Sequence, residues 1–550
     1  MMETYTIGID TGGTYTDAVL IDSASQTVIA TAKQPTTHYD LAIGITQALT
    51  SLLHDSGIPA NRVASLAVST TLATNSVVEN TGARVVLLVI GYVKHFRLPV
   101  KAVVFIDGGH DIDGKEEVPL DIEGIVDVVS RLHNEVDAYG VCSAMSMHNP
   151  SHELVAEKAI QMIDSKPVFC SHRISSLVGM KERAATAGLH AKLMPVMNQF
   201  VDGVERSMAE LGLTCPIVIV GGNGDVIDPV TVVDFAGLTV ASGPACSAFF
   251  GARHCEEDCL VVDVGGTTTD ISYISSGRPQ LNTEGCVIGR WQTHMETVDM
   301  LTGGIGGDSH AYIDDQGKLC LGPGRVVPLA TASQLPDIEQ WLADDDAGKI
   351  ILVHTLEGED VTGNELADVL KKSGHATPKE LRKATGLGGI PLEQQLEELV
   401  RRQLVYASGF TPTDALHVLG KLDFGKKEIA VRAASILGTY LKLGAEEFSR
   451  KVIDLAEERI EQLILDYVIQ RYWGNSMTSF LEGRRQHPVL GVEFSLNIPL
   501  VGIGAAAHVL LPGVAKRLRT SVSFPEHCEV GNAIGSALLG LRAQHKTAAP

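Results

Sequence analysis

The chain has 550 residues, and its 44 Lys and Arg against 66 Asp and Glu give a formal net charge of −22. That length exceeds one ordinary core and predicts two to four domains at roughly 100–200 residues each. The acidic excess excludes a general nucleic-acid binder and a protein docked on an anionic membrane, and 45% hydrophobic with 20% charged residues excludes a disordered chain.

The opening Met1-Met2-Glu3-Thr4 runs directly into a strand pattern, so no signal peptide is expected. The longest apolar runs, Val85–Ile90 and Ile217–Val220, are strand-sized and far short of a membrane span. Nine cysteines without a CxxC pair fit reduced thiols and a cytoplasmic location. Cys255 and Cys259 lack a second ligand pair, so two ordinary loop thiols are expected there.

Residues 7–21 read IGIDTGGTYTDAVLI, and residues 260–274 read LVVDVGGTTTDISYI. Aligned without a gap, Asp10, Gly12, Gly13, Thr14, Thr16, Asp17 and Ile21 match Asp263, Gly265, Gly266, Thr267, Thr269, Asp270 and Ile274. The copies lie 253 residues apart, so whole domains are repeated. Each copy reads as strand, tight turn, strand. Paired glycines let an anion approach backbone N–H groups, and threonine hydroxyls add donors. The preceding acid suits a divalent cation or the attacking water. The two turns are therefore read as phosphate loops, with Thr11, Gly12, Gly13, Thr14 and Thr16 on one side and Gly265, Gly266, Thr267 and Thr268 on the other.

After the first hairpin, Ser23–Pro35 reads as a third strand, 40–53 as a helix and 63–68 as a strand, and Ser69–Asn75 opens a helix-like segment. Residues 84–91, a helix over 120–134 and a strand over 138–144 complete a βββαβαβ order, which predicts one mixed sheet with helices on it. The acid-rich Asp107–Gly114 lacks the twelfth-position Glu of a calcium loop and reads as a hairpin turn. Residues 178–204 read as a linker that becomes a helix crossing between halves. A strand over 216–222 and a turn at Ala241–Cys246 lead to the second hairpin. The loop Asp299–Asp308 has glycines at 303, 304, 306 and 307, a composition suited to backbone contact with phosphate or ribose. Asp308 joins Asp10 and Asp263 as a candidate metal ligand.

Residues 360–480 read as a helical insert. Thr377-Pro-Lys-Glu380 and Thr411-Pro-Thr-Asp414 are cap-like starts, and an apolar stripe over 448–473 suits core packing. In Leu500–His508, Gly502, Gly504 and Ala505 leave space for a base or sugar. Lys516-Arg-Leu-Arg519 reads as a solvated basic face, and Gly531–Gly540 as a small-residue helix suited to close crossing.

These stations in order resemble the actin-like ATPase superfamily. That resemblance implies an α/β fold of two duplicated actin-like (ribonuclease H-like) lobes with mixed five-stranded sheets, divided at 1–180 and 181–550. Finer features narrow it: Ile9–Asp17, Ser69–Asn75, Ser171-His172, Ser242–Ala245, Asp263–Asp270 and Thr413-Asp-Ala415 together resemble the A subunit of the hydantoinase/5-oxoprolinase family. The resemblance implies ATP and Mg²⁺ between the lobes, with Asp10 and Asp263 as catalytic and metal-anchoring acids. It also implies ATP-dependent opening of a cyclic amide or imide with a B-type partner subunit. An ATP-dependent carboxylase subunit, a small-molecule kinase and an activase or reactivating chaperone remain the alternatives, and self-association as a homo-oligomer stays open.

Overall fold

The computed structural model describes residues 4–13, 15–37, 40–78, 82–91, 95–174, 178–283, 285–288, 291–343, 348–356, 361–474, 480–481 and 492–547. The chain divides into two compact units. The first comprises Met1–Arg253, Arg278–Asp299 and Val530–Pro550, and the second His254–Gly277 and Met300–Glu529.

The main sheet of the first unit runs Val28–Pro35, Tyr15–Asp22, Tyr5–Thr11, Val63–Thr70, Ile217–Val220 and a short Val226–Ile227 edge. The first two pairings are antiparallel and the next two parallel. In the second unit, Met300–Gly303, Thr269–Ser275, Cys259–Val264, Leu500–Ile503 and Val522–Ser523 repeat that order, again with two antiparallel and then two parallel pairings. The sequence repeat is thus a repeat of topology. The first sheet takes its Ile217–Val220 strand from beyond residue 180, so the compact units follow packing and not that sequence cut.

One expected mixed sheet in the first half is in fact two sheets. Val85–Ile90 and Ala138–Ser143 leave the hairpin sheet and join Ala102–Ile106 and Val168–Cys170 in a separate, all-parallel four-stranded sheet. The reason lies in the composition of Val85–Ile90, an unbroken apolar run suited to a strand covered on both faces. Val85, Leu87 and Val89 face the core that holds Ala184, Ala187 and Ala191, while Val86, Leu88 and Ile90 face Ile125, Val129 and Ile160.

The expected linker after residue 178 is a core element. Helix Met180–Glu210 buries 20 of its 31 residues, too many for a solvent-spanning connection. The segment expected to be a helical insert also holds two strands, His375–Ala376 and Val405–Gly409, which pair with two that precede it. Val327–Pro328, Val405–Gly409, Lys349–Val353 and His375–Ala376 form a small sheet covered by helices Glu365–Ser373, Pro378–Thr385 and Gly389–Arg401. Capping boxes at Thr377/Glu380 and Thr411/Asp414 start two helices as expected. Helix Ala445–Trp473 packs Phe448, Val452, Ala456, Ile460 and Ile464 into the same core as Leu260, Val262 and Ile271. Positions 360 and 475–479 of the expected insert lie outside the described residues.

Two smaller expectations fail. Cys255 and Cys259 are joined as a disulfide, because a four-residue spacing at a strand entrance brings their Cα atoms to 6.3 Å. Arg517 is no solvated charge: it is mostly buried and reaches Glu457 at 3.4 Å, Glu461 at 3.8 Å and Asp454, tying its helix to Ala445–Trp473. The Asp107–Gly114 segment is a hairpin turn, with Asp111 Oδ1 accepting from the N–H groups of Asp113 and Lys115.

Helix Gly531–Thr547 lies directly on the first sheet and on helix Ser242–Ala252. A Cβ at Gly8 would fall 2.0 Å from the Ala533 carbonyl oxygen, and one at Gly535 would fall 2.2 Å from that of Cys246. Gly535→Ala is expected to push the two helices apart and lower stability by about 1–3 kcal/mol. A thermal melt that leaves the transition in place would contradict this close crossing.

Candidate functional site

In the first unit, Asp10 ends the first strand and is buried. Ser69, opposite it in the parallel register, donates its hydroxyl to Asp10 Oδ1 at 2.7 Å. Asn532 Nδ2 donates to Oδ2 at 3.4 Å. The turn that follows is tight: Gly12 N–H donates to the Tyr15 carbonyl at 2.9 Å, and the Gly12 carbonyl accepts from Thr36 Oγ1 at 2.8 Å. Thr16 Oγ1 meets Thr36 Oγ1 at 3.1 Å, so Thr16 supports the turn from behind. Gly13 lies beside Asn75, where an added Cβ would come within 3.0 Å of Nδ2. Thr11 Oγ1 is buried without a partner among the described residues. Thr14 lies outside the described residues.

Two distant motifs close on this turn. The Thr11 carbonyl accepts from the N–H of Thr71 at 3.0 Å. Ser242, at the start of its helix, donates to the Thr70 carbonyl at 2.8 Å and accepts from Thr70 N–H at 3.1 Å. Ala241 enters that helix in the left-handed region, at φ 66°. Burial and the neighbouring Asp10 push the Cys246 thiol up, so it stays protonated as a core group.

In the second unit, Asp263 occupies the equivalent strand position, also buried. Gly265 N–H donates to the Thr268 carbonyl at 3.0 Å, repeating the first turn. The loop after Gly303 folds onto it: Gly307 N–H donates to the Gly265 carbonyl at 3.0 Å and Asp308 N–H to that of Gly266 at 2.8 Å. A Cβ at Gly306 would stand 2.5 Å from both carbonyl oxygens, so only glycine permits this contact. Thr413 donates both its N–H and its hydroxyl to the Gly307 carbonyl, at 3.0 and 2.9 Å. Asp414 fixes Thr413 by accepting from the N–H groups of Ala330, Leu329 and Thr411.

Gly504 completes this side. Its φ of +93° is a glycine conformation, and a Cβ would land 2.5 Å from Asp263 Oδ1. Ala505 is exposed beside it, and the Ala506 methyl lies 3.5 Å from a Cβ placed on Gly307. Gly265, Gly266, Gly306, Gly307, Asp308, Gly504 and Ala505 therefore gather around Asp263, while Thr267 is exposed and Gly304 continues the loop. Gly303 and Gly502 do not join them: a Cβ on Gly303 would meet Leu463, and one on Gly502 would meet the Phe524 ring, so both are packing positions.

Asp308 differs from the other two candidate ligands. Arg325 Nε lies 3.6 Å from its Oδ2. Burial pushes its carboxyl up and Arg325 opposes that shift, an arrangement that braces a loop. The residues missed at the sequence level are Ser69, Asn532 and Arg325. The register of two parallel strands could have found Ser69, whereas a partner 522 residues from Asp10 has no local signal.

The two hairpins also differ in their second aspartate. Asp17, paired with Asp10, forms an ion pair with Lys33 at 2.7 Å. Asp270, paired with Asp263, faces Thr302 on the neighbouring strand, and its Oδ1 is sealed from water with no partner among the described residues. Burial, and secondarily the charge of Asp263, push Asp270 up to about 7 from an ordinary value of 3.8.

Two sheets that share one five-strand order, each carrying a sixth, short edge strand beyond the five expected and an acid–Gly–Gly turn at the end of its first strand, define the actin-like fold. The acetone carboxylase nucleotide-free structure superimposes with a TM-score of 0.67 at 17% identity, over 98% of this chain and 70% of that one. The ATP-dependent caprolactamase structure from Pseudomonas jessenii gives 0.63 at 21% identity, over 97% and 70%. Family models match residues 6–164 as the hydantoinase/oxoprolinase N-terminal region and residues 183–545 as hydantoinase/oxoprolinase. The chain belongs to the hydantoinase/oxoprolinase family.

Among curated relatives, the caprolactamase subunit alpha of Pseudomonas jessenii is 28% identical over 359 residues, 58% of this chain and 50% of that subunit. The chain thus spans about half the length of that relative. The acetophenone carboxylase gamma subunit of Aromatoleum aromaticum is 23% identical over 555 residues, 87% of this chain and 73% of the relative.

Asp270 sets a pH test of this geometry. A carboxyl whose value is raised on folding contributes stability fully present below its unfolded value and lost as pH rises through its folded value. Asp270→Asn should therefore match the wild type near pH 4, melt progressively higher than it as pH rises from about 4 to about 7, and keep a constant advantage above that. A difference in melting temperature that is constant between pH 4 and 8 would show that Asp270 ionises freely.

Proposed function

We propose that this chain is the ATP-using subunit of an enzyme that phosphorylates and opens a cyclic amide or imide, working with a separate hydrolase subunit. The observation that carries this reading is the duplicated acid–Gly–Gly turn, set at equivalent strand ends in two sheets of one topology, within a chain of the hydantoinase/oxoprolinase family. The name of the caprolactamase relative supports a cyclic amide as the substrate class, and the subunit designations of that relative and of the acetophenone carboxylase relative support a partner.

The residues present fit a polyphosphate with its cation. The turns closed by the Gly12 and Gly265 N–H groups present the backbone of Gly13 and Gly266, which suits phosphate oxygens without any basic patch. Asp10 and Asp263 are hard oxygen donors buried beside those turns, which suits Mg²⁺ held directly or through water. Bound there, Mg²⁺ would neutralise charge that builds on the phosphates during transfer. Asp308 is less suited as a ligand, since Arg325 already answers its charge. The loop Gly304–Gly307 and Ala505 are assigned to the nucleotide side of Asp263. The seven cysteines left as free thiols are in keeping with a cytoplasmic location, and no described helix is long and apolar enough to cross a membrane.

The second reading is an ATP-dependent carboxylase subunit. The breadth of the match to the acetophenone carboxylase gamma subunit favours it.

Asp10→Asn keeps the shape and the Ser69 contact but removes the charge, and is expected to lower ATP turnover by about 100-fold or more with the fold intact. Turnover within a few-fold of wild type would remove Asp10 from the site. Substrate class is decided by ADP release with lactams, hydantoins or 5-oxoproline, set against aromatic or aliphatic ketones with bicarbonate, each with and without the partner subunit. Stimulation by ketone and bicarbonate alone would replace the amide reading with the carboxylase one.

A further inference from the structure

The all-parallel sheet of the first unit carries a polar cluster that the nucleotide reading leaves unused. Strands Ala138–Ser143 and Val168–Cys170 lie side by side, and the residues that follow their carboxyl ends gather around Glu153. Open α/β sheets bind ligands at that edge. Glu153 is fully buried. Its Oε1 accepts from Ser143 N–H at 2.8 Å and from the Ser171 hydroxyl at 2.6 Å. Its Oε2 accepts from His172 N–H at 2.9 Å and meets His172 Nδ1 at 2.6 Å. Arg183, also buried, donates from Nη1 to Ser146 Oγ and to Ser171 Oγ, so its positive charge stands one hydroxyl away from the carboxylate.

A buried carboxylate held by three other donors keeps its geometry, so the ring nitrogen it meets must carry the proton. Nε2 of His172 then presents its lone pair. The side chain is 19% exposed, and Nε2 has no partner among the described residues. The other described His–carboxylate pairs lack this combination. His152 uses both ring nitrogens, on Glu116 and on Gly109 N–H, while the carboxylates beside His54 and His527 are exposed.

A metal centre is the competing use of this cluster, since donor atoms of Glu153, Cys170 and His172 lie within 4.8 Å of one another. Two features argue against it. Both Glu153 oxygens are already occupied by N–H and O–H donors, and burial pushes the Cys170 thiol up, away from the thiolate a metal needs.

We propose that Glu153 and His172 form a general-base dyad for an amide ligand, with His172 Nε2 as the proton acceptor and Glu153 as its positioning residue. The proposal rests on the amide-activation reading given above. In that reaction the amide oxygen bonds to the γ-phosphorus, the bond from that phosphorus to the β–γ bridging oxygen breaks, and ADP leaves. The ring N–H proton passes to Nε2. The products are an O-phosphorylated imidate with a neutral nitrogen and an imidazolium facing the Glu153 carboxylate. An amide oxygen is a weak nucleophile while its nitrogen keeps the proton, so a base that reaches that nitrogen has a defined task.

The test uses the full chain with its partner subunit and the amide that stimulates the wild type. His172→Ala should lower kcat for amide-dependent ATP turnover by about 100-fold, with KM within about three-fold of wild type. Added imidazole should restore at least ten-fold of that loss, which a structural histidine would not allow. Glu153→Gln should lower kcat by about ten-fold. A wild-type kcat in His172→Ala, or a loss that imidazole does not relieve in a variant with an unchanged melting profile, overturns the proposal. Stoichiometric zinc in the wild type that is lost with His172 also overturns it, in favour of a metal centre. Nitrogen-15 NMR of the wild-type chain needs neither turnover nor variants: the Nδ1–H tautomer is expected for His172, and the Nε2–H tautomer overturns the dyad. A wild type that no amide stimulates defeats the amide-activation reading, and with it the proton step, while the tautomer measurement still judges the dyad geometry.

Discussion

A carboxylate held out of water at the end of a β-strand has to be answered by donors or by a cation, and this protein meets that demand twice. Asp10 and Asp263 sit at equivalent strand ends, and much of the nearby chain is arranged to keep them there. Around Asp10 the answer comes from side chains: the Ser69 hydroxyl on the next parallel strand and the Asn532 amide on the last helix. Around Asp263 space itself is part of the answer, because the carboxylate stands where a side chain on Gly504 would be. The glycines that crowd both turns follow from the same constraint. A backbone that must lie against another backbone, or against a carboxylate, cannot carry a Cβ.

The common topology makes the differences between the hairpins informative. Lys33 cancels the charge of Asp17 on one, while Thr302 faces Asp270 on the other and cancels nothing. Two carboxylates opposite each other, one of them sealed from water, favour a shared proton over two charges. The second hairpin therefore carries less negative charge near neutrality than its sequence suggests. The duplicated turns offer similar backbone but different electrostatics.

How much of this was legible in the sequence depends on the range over which each feature is encoded. The hairpins were legible because strand, turn and strand are contiguous and because Asp10–Asp17 repeats at Asp263–Asp270. Helix starts at Thr377 and Thr411 were legible because a capping box needs only four consecutive residues. The separate parallel sheet was not, since a buried apolar strand such as Val85–Ile90 carries no mark of which sheet it joins. The small sheet around Lys349–Val353 was hidden by the helices that cover it. At the candidate site, the two turns and their acids stand out because they repeat, whereas Gly303 and Gly502, read as contact positions, pack against Leu463 and Phe524. A glycine that faces a ligand and one that faces Leu463 or Phe524 are the same letter. Asp308 resembles Asp10 and Asp263 in sequence, but the pairing of its following strand with Leu319–Arg325 sets Arg325 beside it.

Helix Gly531–Thr547 carries a consequence for how the molecule is made. Ser536 donates to the Ile9 carbonyl across 527 positions, and the same helix covers Gly8 at the centre of the first sheet. During synthesis at about 5–20 residues per second, the strand holding Ile7 and Ile9 emerges first. It then waits about half a minute or longer for the segment that closes its face. Contacts of such long sequence separation form late, because the intervening chain must be ordered before they repay its entropy. The first unit thus begins before the second and closes after it, and in between one side of its central sheet is an exposed apolar surface that needs shielding from other nascent chains.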